Sequence, residues 1–137
     1  MKKRITLIAR VLMILYIVAL AALCFGNTDK LPKISKTILG LEADKIVHFL
    51  MFLPFPLLTY WAAGVNPDGP WKALGRVLLI FLAGGILAAG TELIQAILPY
   101  RSADPKDFLA DAVALALASL AVFIIMLVKG LRSSRAQ

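Results

Sequence analysis

The chain has 137 residues, 61% of them hydrophobic, and its mean hydropathy is +0.86. This apolar share exceeds that of a soluble domain, so it predicts an integral membrane protein of about four spans of about 20 residues each, with no room for a large domain outside the membrane. The net charge of +7 is not read as a nucleic-acid surface, because the basic residues lie at the ends of apolar segments, as topology determinants do.

The first predicted span covers residues 5–25 and follows a basic start, MKKR, at residues 1–4. The apolar run is as long as a bilayer and no A-x-A site follows it, which favours an uncleaved helix over a signal peptide. Cys24 is the one cysteine, so no disulfide forms within the chain. The next segment, 27–43, has apolar residues at roughly helical spacing among lysines. It fits either a short helix on the membrane surface or a solvated loop.

The second predicted span covers residues 44–64 and contains two prolines, Pro54 and Pro56. Each proline removes a backbone donor, so we expect a kink near residues 50–52. The sequence NPDGP at 66–70 then predicts a turn. The second span therefore begins and ends at clear sequence signals but is not a regular helix throughout.

The third predicted span covers residues 73–98, and the fourth covers residues 107–128. Asp104 followed by Pro105 is typical of a helix N-cap with proline at the first helical position. Small residues allow close helix contacts in membranes, and the third span has a group of them: Gly84, Gly85, Ala88, Ala89 and Gly90.

The distribution of basic residues predicts the orientation of the spans. With the N-terminus inside, nine of the 15 Lys and Arg residues lie at cytoplasmic ends and six lie outside. This asymmetry favours cytoplasmic N- and C-termini. The sequence therefore predicts an all-α fold, a four-helix transmembrane bundle that forms one domain over residues 1–137.

This topology brings polar residues from three spans to one depth on the outer side. Ionisable groups are unfavourable in hydrocarbon and are usually functional where they occur. We therefore expect a ligand-binding pocket at the outer mouth of the bundle, formed by Asp44, Lys45, His48, Glu92, Gln95, Arg101, Asp104, Asp107 and Asp111.

The predictions are most specific for two residues of this set. Glu92 lies seven residues before Pro99, about 10 Å below the end of its span, so its carboxylate needs a partner or a proton. Arg101 can bind a phosphate or carboxylate through two hydrogen bonds. The alternatives are a structural ion pair at Glu92, a headgroup anchor at Arg101, and a packed, hydrogen-bonded side chain at His48.

Three sequence blocks carry a family resemblance: DKIVHF at 44–49, TELIQAILPYR at 91–101 and DPKDFLAD at 104–111. Together they resemble the VanZ-like family of small bacterial membrane proteins, over roughly residues 44–118. The chain has Asp111 where the family usually has Asn, and Ala114 and Ala118 where it has glycine. The resemblance implies a four-span protein of the bacterial cytoplasmic membrane, with a link to low-level resistance to the glycopeptide teicoplanin.

Three functions are compatible with the sequence. The first is an envelope protein whose pocket binds a lipid headgroup, a lipid-linked envelope precursor or a glycopeptide. The second is an enzyme acting on a lipid-linked substrate, in which His48, Glu92 and Asp107 are the catalytic candidates, either as acid and base or, with Asp111, as ligands of a divalent metal. The third is a carrier that uses Glu92. We favour the first, with membrane lipids as partners and without nucleic acid, cofactor or bound metal.

Overall fold

A computed structural model of the chain describes residues 2–27, 37–38, 41–64 and 69–134. The regular secondary structure of the described chain is helical apart from one pair of two-residue strands. In chain order the elements are α1 (Lys2–Phe25), β1 (Thr37–Ile38), β2 (Leu41–Glu42), α2 (Ala43–Phe52), α3 (Phe55–Ala63), α4 (Pro70–Ile97) and α5 (Pro105–Ser134).

The four predicted spans are confirmed as helical segments long and apolar enough to cross a membrane. Large apolar side chains cover the outside of these helices; Leu79 is 68% exposed and Ile86 is 75% exposed. A surface of this kind is stable in lipid but not in water. The chain is therefore a multi-pass membrane protein with spans at Lys3–Phe25, Ala43–Ala63, Pro70–Ile97 and Pro105–Arg132.

The second span is interrupted at Leu53 and Pro54, where α2 ends and α3 begins. Pro54 and Pro56 have no N–H to donate to the preceding turn, so the regular hydrogen-bond ladder cannot continue. Backbone bonds resume when the Leu58 N–H donates to the Pro54 carbonyl at 3.0 Å. The interruption lies just beyond residues 50–52, where the kink was predicted, and the kink itself stays a prediction.

The surface helix, one of the two alternatives for residues 27–43, does not form at residues 37–38 and 41–42. β1 and β2 form a small antiparallel pair, with Thr37 opposite Glu42 and Ile38 opposite Leu41. The prediction of a helix at these four residues is therefore wrong. Residues 28–36 and 39–40, which held most of the rest of that prediction, lie outside the described residues, as do residues 66–68 of the predicted NPDGP turn.

The helices alternate in direction along the chain, so the ends at Phe25, Ala43, Ile97 and Pro105 come together. We call this the polar end of the bundle. Helix α5 packs against α2, α3 and α4, whereas α1 packs against α3 and α4. Beneath the polar end lies a buried apolar cluster: Leu20, Cys24, Phe52, Phe55, Ala88, Ala114 and Leu115.

The opposite end of the bundle is held by different contacts. A second buried cluster there includes Tyr60, Val77 and Val122. The Lys129 ammonium donates to the Tyr60 hydroxyl at 3.2 Å, and the Arg10 guanidinium donates to the Ala62 carbonyl at 3.1 Å. These basic side chains bind polar groups at the end of α3.

Close helix packing depends on one glycine of α4 and not on its neighbour. A Cβ atom at Gly84 would lie 2.5 Å from the Leu115 side chain and 3.0 Å from Phe55, whereas a Cβ at Gly85 or Gly90 would meet nothing within 4 Å. The prediction of close packing is thus confirmed at Gly84 and at the fully buried Ala88.

We expect Gly84→Ala to destabilise the protein by about 1–3 kcal/mol, the usual effect of overpacking a buried site. Leu115 is fully buried, so the side chain that the new methyl group would meet is enclosed by its neighbours. Gly85→Ala is the matched control and should leave stability unchanged or raise it, because alanine favours helix. The readout is the thermal unfolding midpoint in detergent, and equal midpoints for the two variants would contradict the packing.

Candidate functional site

Seven ionisable side chains from three segments meet at the polar end. They come from α2, from the end of α4, and from the start of α5 with the residue before it. We call them the polar cluster: Asp44, Lys45, His48, Glu92, Asp104, Asp107 and Asp111. All seven belong to the predicted site, and residues about 60 positions apart in sequence are in contact there.

Two helical repeats explain why these side chains face one another. Asp44 and His48 are four residues apart on α2, and Asp107 and Asp111 are four residues apart on α5, so each pair shares one helix face. The two helices pack together, which brings the outer pair, Asp44 and Asp107, and the inner pair, His48 and Asp111, to matching depths.

His48 lies at the centre of the cluster with carboxylates around its ring. Its Nδ1 atom is 3.2 Å from Asp111 Oδ1 and 3.8 Å from Glu92 Oε1. Its Nε2 atom is 3.9 Å from Asp107 Oδ2. His48 is 4% exposed and Asp111 is fully buried, so the pair of groups has almost no contact with solvent.

Lys45 is the cation nearest the mouth of the cluster. Its ammonium group contacts Glu42, lies 3.3 Å from Asp104 Oδ2, and lies 3.7 Å from Asp107 Oδ1. It thereby links α2 to the start of α5. Glu42 was not among the predicted site residues, although its position three residues before Lys45 on a helix start is a recognisable pairing signal.

Asp104 caps the start of α5, as predicted. Its carboxylate accepts the Lys106 N–H at 2.9 Å, which is the usual N-cap contact. This bond and the Lys45 ammonium hold the pKa of Asp104 below its ordinary value. Ionised Asp104 therefore stabilises the folded state at neutral pH, and the contribution is lost only as the pH falls through that lowered pKa. Its own N–H donates to Glu92 Oε2 at 3.3 Å.

Negative charge exceeds positive charge in the polar cluster. Even with His48 protonated, two cationic side chains face five carboxylates. Two buried carboxylate oxygens, Glu92 Oε1 and Asp107 Oδ1, have no hydrogen-bond partner among the described residues. Asp107 Oδ1 has the Lys45 ammonium at 3.7 Å and Glu92 Oε1 has His48 Nδ1 at 3.8 Å, neither within hydrogen-bond range. Buried polar atoms are nearly always partnered in proteins, so the cluster suits a further positively charged group or a proton.

Gln95 and Arg101, which were also predicted to contact a ligand, lie against α1 instead. Gln95 Nε2 donates to the Cys24 carbonyl at 3.0 Å, and Arg101 Nη2 donates to the Leu23 carbonyl. Tyr100 adds a third bond, from its hydroxyl to the Phe25 carbonyl at 3.1 Å. These carbonyls belong to the last turn of α1, whose acceptors have no partner within the helix. A ligand role for Gln95 and Arg101 stays a prediction.

We expect Gln95→Leu to raise the reactivity of Cys24 towards a maleimide. Loss of one hydrogen bond of about 1 kcal/mol would raise the population with the end of α1 displaced by roughly fivefold, and Cys24 is buried only while α1 is in place. Its labelling rate in native membranes is the readout. Lys106→Ala, at an exposed side chain, serves as control, and unchanged labelling in Gln95→Leu would contradict the tethering.

An apolar groove runs between α1 and α2 towards the polar end. Its volume is about 350 Å³, and its lining includes Tyr16, Leu23, Val47 and Met51. Leu23 lies in the last turn of α1, and Val47 precedes His48. The groove therefore lies on the side of α2 next to the polar cluster, although no cluster residue lines it.

The comparisons with known proteins give one distant relative. The chain is 30% identical over 77 residues to an uncharacterized protein of Schizosaccharomyces pombe, a match that covers 56% of this chain. The chain spans 44% of that relative's length. No family model matches the chain, and no solved structure matches it.

Proposed function

We propose that this chain is a VanZ-like membrane protein of the bacterial cell envelope, in which the polar cluster binds the polar group of an envelope lipid, a lipid-linked precursor or a glycopeptide. Its termini lie in the cytoplasm and its polar end faces outwards, in line with the basic-residue count. Teicoplanin resistance would follow from this binding. The observation that carries the proposal is the buried, mostly acidic cluster at one end of an otherwise apolar bundle.

The geometry supports binding in three respects. The carboxylates with unpartnered oxygens favour a positively charged contact, which an amine of a headgroup or a glycopeptide supplies directly and a phosphate group supplies only through a bridging cation. Asp44 is exposed, so the cluster can be reached from outside the bundle. The groove between α1 and α2, which Val47 lines, is apolar and of a size suited to part of an acyl chain.

Binding can be tested with the purified full chain. Native mass spectrometry would compare retention of phosphatidylethanolamine, phosphatidylglycerol and undecaprenyl phosphate by the wild type and by Glu92→Gln, and teicoplanin susceptibility would be measured in cells producing each form. We expect the Glu92→Gln protein to retain no lipid. Cells that produce it should show no change in teicoplanin susceptibility. Lys129→Met, at the opposite end, is the control. Equal retention and susceptibility in wild type and Glu92→Gln would refute the proposal.

A second candidate function is an enzyme acting on a lipid-linked phosphate. The observation that favours it is His48, which lies within 3.9 Å of carboxylate oxygens of Glu92, Asp107 and Asp111. A histidine oriented by a buried carboxylate is the usual arrangement of a general acid or base. Release of phosphate from undecaprenyl diphosphate by the wild type, and not by His48→Gln, would establish this function in place of simple binding.

A further inference from the structure

The two ring nitrogens of His48 face different carboxylates. Nδ1 lies 3.2 and 3.3 Å from the two oxygens of Asp111, within hydrogen-bond range. The 3.9 Å between Nε2 and Asp107 Oδ2 is too long for a direct hydrogen bond. An ionised carboxylate only accepts hydrogen bonds, so Asp111 fixes the tautomer in which Nδ1 carries the proton. The lone pair of neutral His48 is then on Nε2.

This tautomer places a lone pair opposite a buried carboxylate. Asp107 is 3% exposed, and its Oδ1 atom has no hydrogen-bond partner in the part of the chain that the structure describes. Lys45 lies 3.7 Å from this same Oδ1 atom, whereas Oδ2 is the oxygen nearer to His48 Nε2. The space between Nε2 and Asp107 Oδ2 therefore favours a positive charge.

We propose that Asp44, His48 and Asp107 bind one divalent transition-metal ion, with His48 coordinating through Nε2. One ligand atom from each residue lies within 4.8 Å of the other two. Two ligand atoms, each about 2.1 Å from an ion, can be separated by at most about 4.2 Å, so the 3.9 Å between Nε2 and Oδ2 suits a shared ion. One imidazole with carboxylates fits Zn²⁺ or Mn²⁺ better than Mg²⁺.

The surroundings of the three ligands have the features of a metal site. A metal-bound histidine usually donates its other ring N–H to a carboxylate, and Asp111 accepts from Nδ1 in that way. Because Asp44 is exposed, a coordination position stays open towards the mouth. The class of lipid ligand in this inference rests on the proposed function. The ion lets a phosphate-bearing headgroup approach an acidic cluster that would otherwise repel it.

Metal binding can be measured on the purified full chain without added lipid. The chelator-stripped protein would be titrated with Zn²⁺ and Mn²⁺ by calorimetry and its metal content determined after dialysis. We expect one ion per chain, with affinity lowered at least tenfold in Asp107→Asn and Asp44→Asn. Glu42→Gln removes a neighbouring carboxylate outside the three ligands and should bind as the wild type does.

Either of two titration results would overturn the metal site: absence of saturable binding, or equal affinity in the wild type and Asp44→Asn. Asp44 is exposed, so this variant keeps the test valid if Asp107→Asn does not fold. X-ray absorption of the Zn²⁺-loaded protein should show one imidazole nitrogen, and its absence would also refute the site. Because no lipid is present, failure here is distinct from failure of headgroup binding, which the lipid-retention assay measures separately.

Discussion

Replacing Asp111 by alanine is expected to destabilise the protein by about 3 kcal/mol, the upper end of the cost of leaving a buried hydrogen-bond donor without its acceptor. Asp111 is fully buried, and it accepts the Nδ1 hydrogen of His48. Without it the imidazole N–H has no acceptor in that direction. The loss would appear as a lower unfolding midpoint and a smaller yield of folded protein in detergent.

Asp111→Asn is the matched control for this substitution. An asparagine carbonyl has nearly the same position as the carboxylate oxygen and still accepts the His48 N–H, so most of the stability should remain. This expectation agrees with the resemblance to VanZ-like proteins, in which asparagine is usual at the corresponding position. If alanine and asparagine lowered the midpoint equally, the hydrogen bond would not be what stabilises this position.

Lys45→Glu is expected to have the second-largest effect on folding. The substitution replaces a cation by a further carboxylate next to Glu42, Asp104 and Asp107, all of which the ammonium group contacts. Like charges at these distances repel and would separate the start of α2 from the start of α5. We expect the unfolding midpoint to fall by several degrees more than in Lys106→Glu, which changes the same charge at an exposed site.

A charge exchange distinguishes repulsion from simple loss of the lysine side chain. In the double variant Glu42→Lys with Lys45→Glu, the pair at the mouth is restored in reverse order, and part of the lost stability should return. The loss of stability in Lys45→Glu should also shrink at high salt, because screening weakens exposed charge interactions. A double variant no more stable than Lys45→Glu would show that the lysine acts through packing and not through charge.

Much of this architecture follows from sequence because the signals are local. Long apolar runs predict the four spans, Pro54 and Pro56 predict the break in the second span, and Asp104 with Pro105 predicts the cap of α5. The meeting of His48 with Asp107 and Asp111 also follows, because spans of similar length that alternate in direction bring their polar ends to one depth.

The contacts of Gln95 and Arg101 could not be predicted in the same way. Both side chains bind main-chain carbonyls of α1, and a carbonyl is present at every residue, so no sequence pattern marks the acceptor. The same limit applies to Gly84 and Gly85. Both are small residues in the middle of a span, and only the packed structure shows that Gly84 alone faces Leu115.

The way α1 is attached has an evolutionary consequence. Gln95, Tyr100 and Arg101 bind the carbonyls of Leu23, Cys24 and Phe25, so attachment requires a helix that ends at the right height and not these particular side chains. These hydrogen bonds then place no constraint on the side chains of the last turn of α1, of which Cys24 is constrained by its burial instead, while the three donors are constrained. Homologues should therefore retain a first span in the same position even where no sequence similarity to residues 2–27 survives.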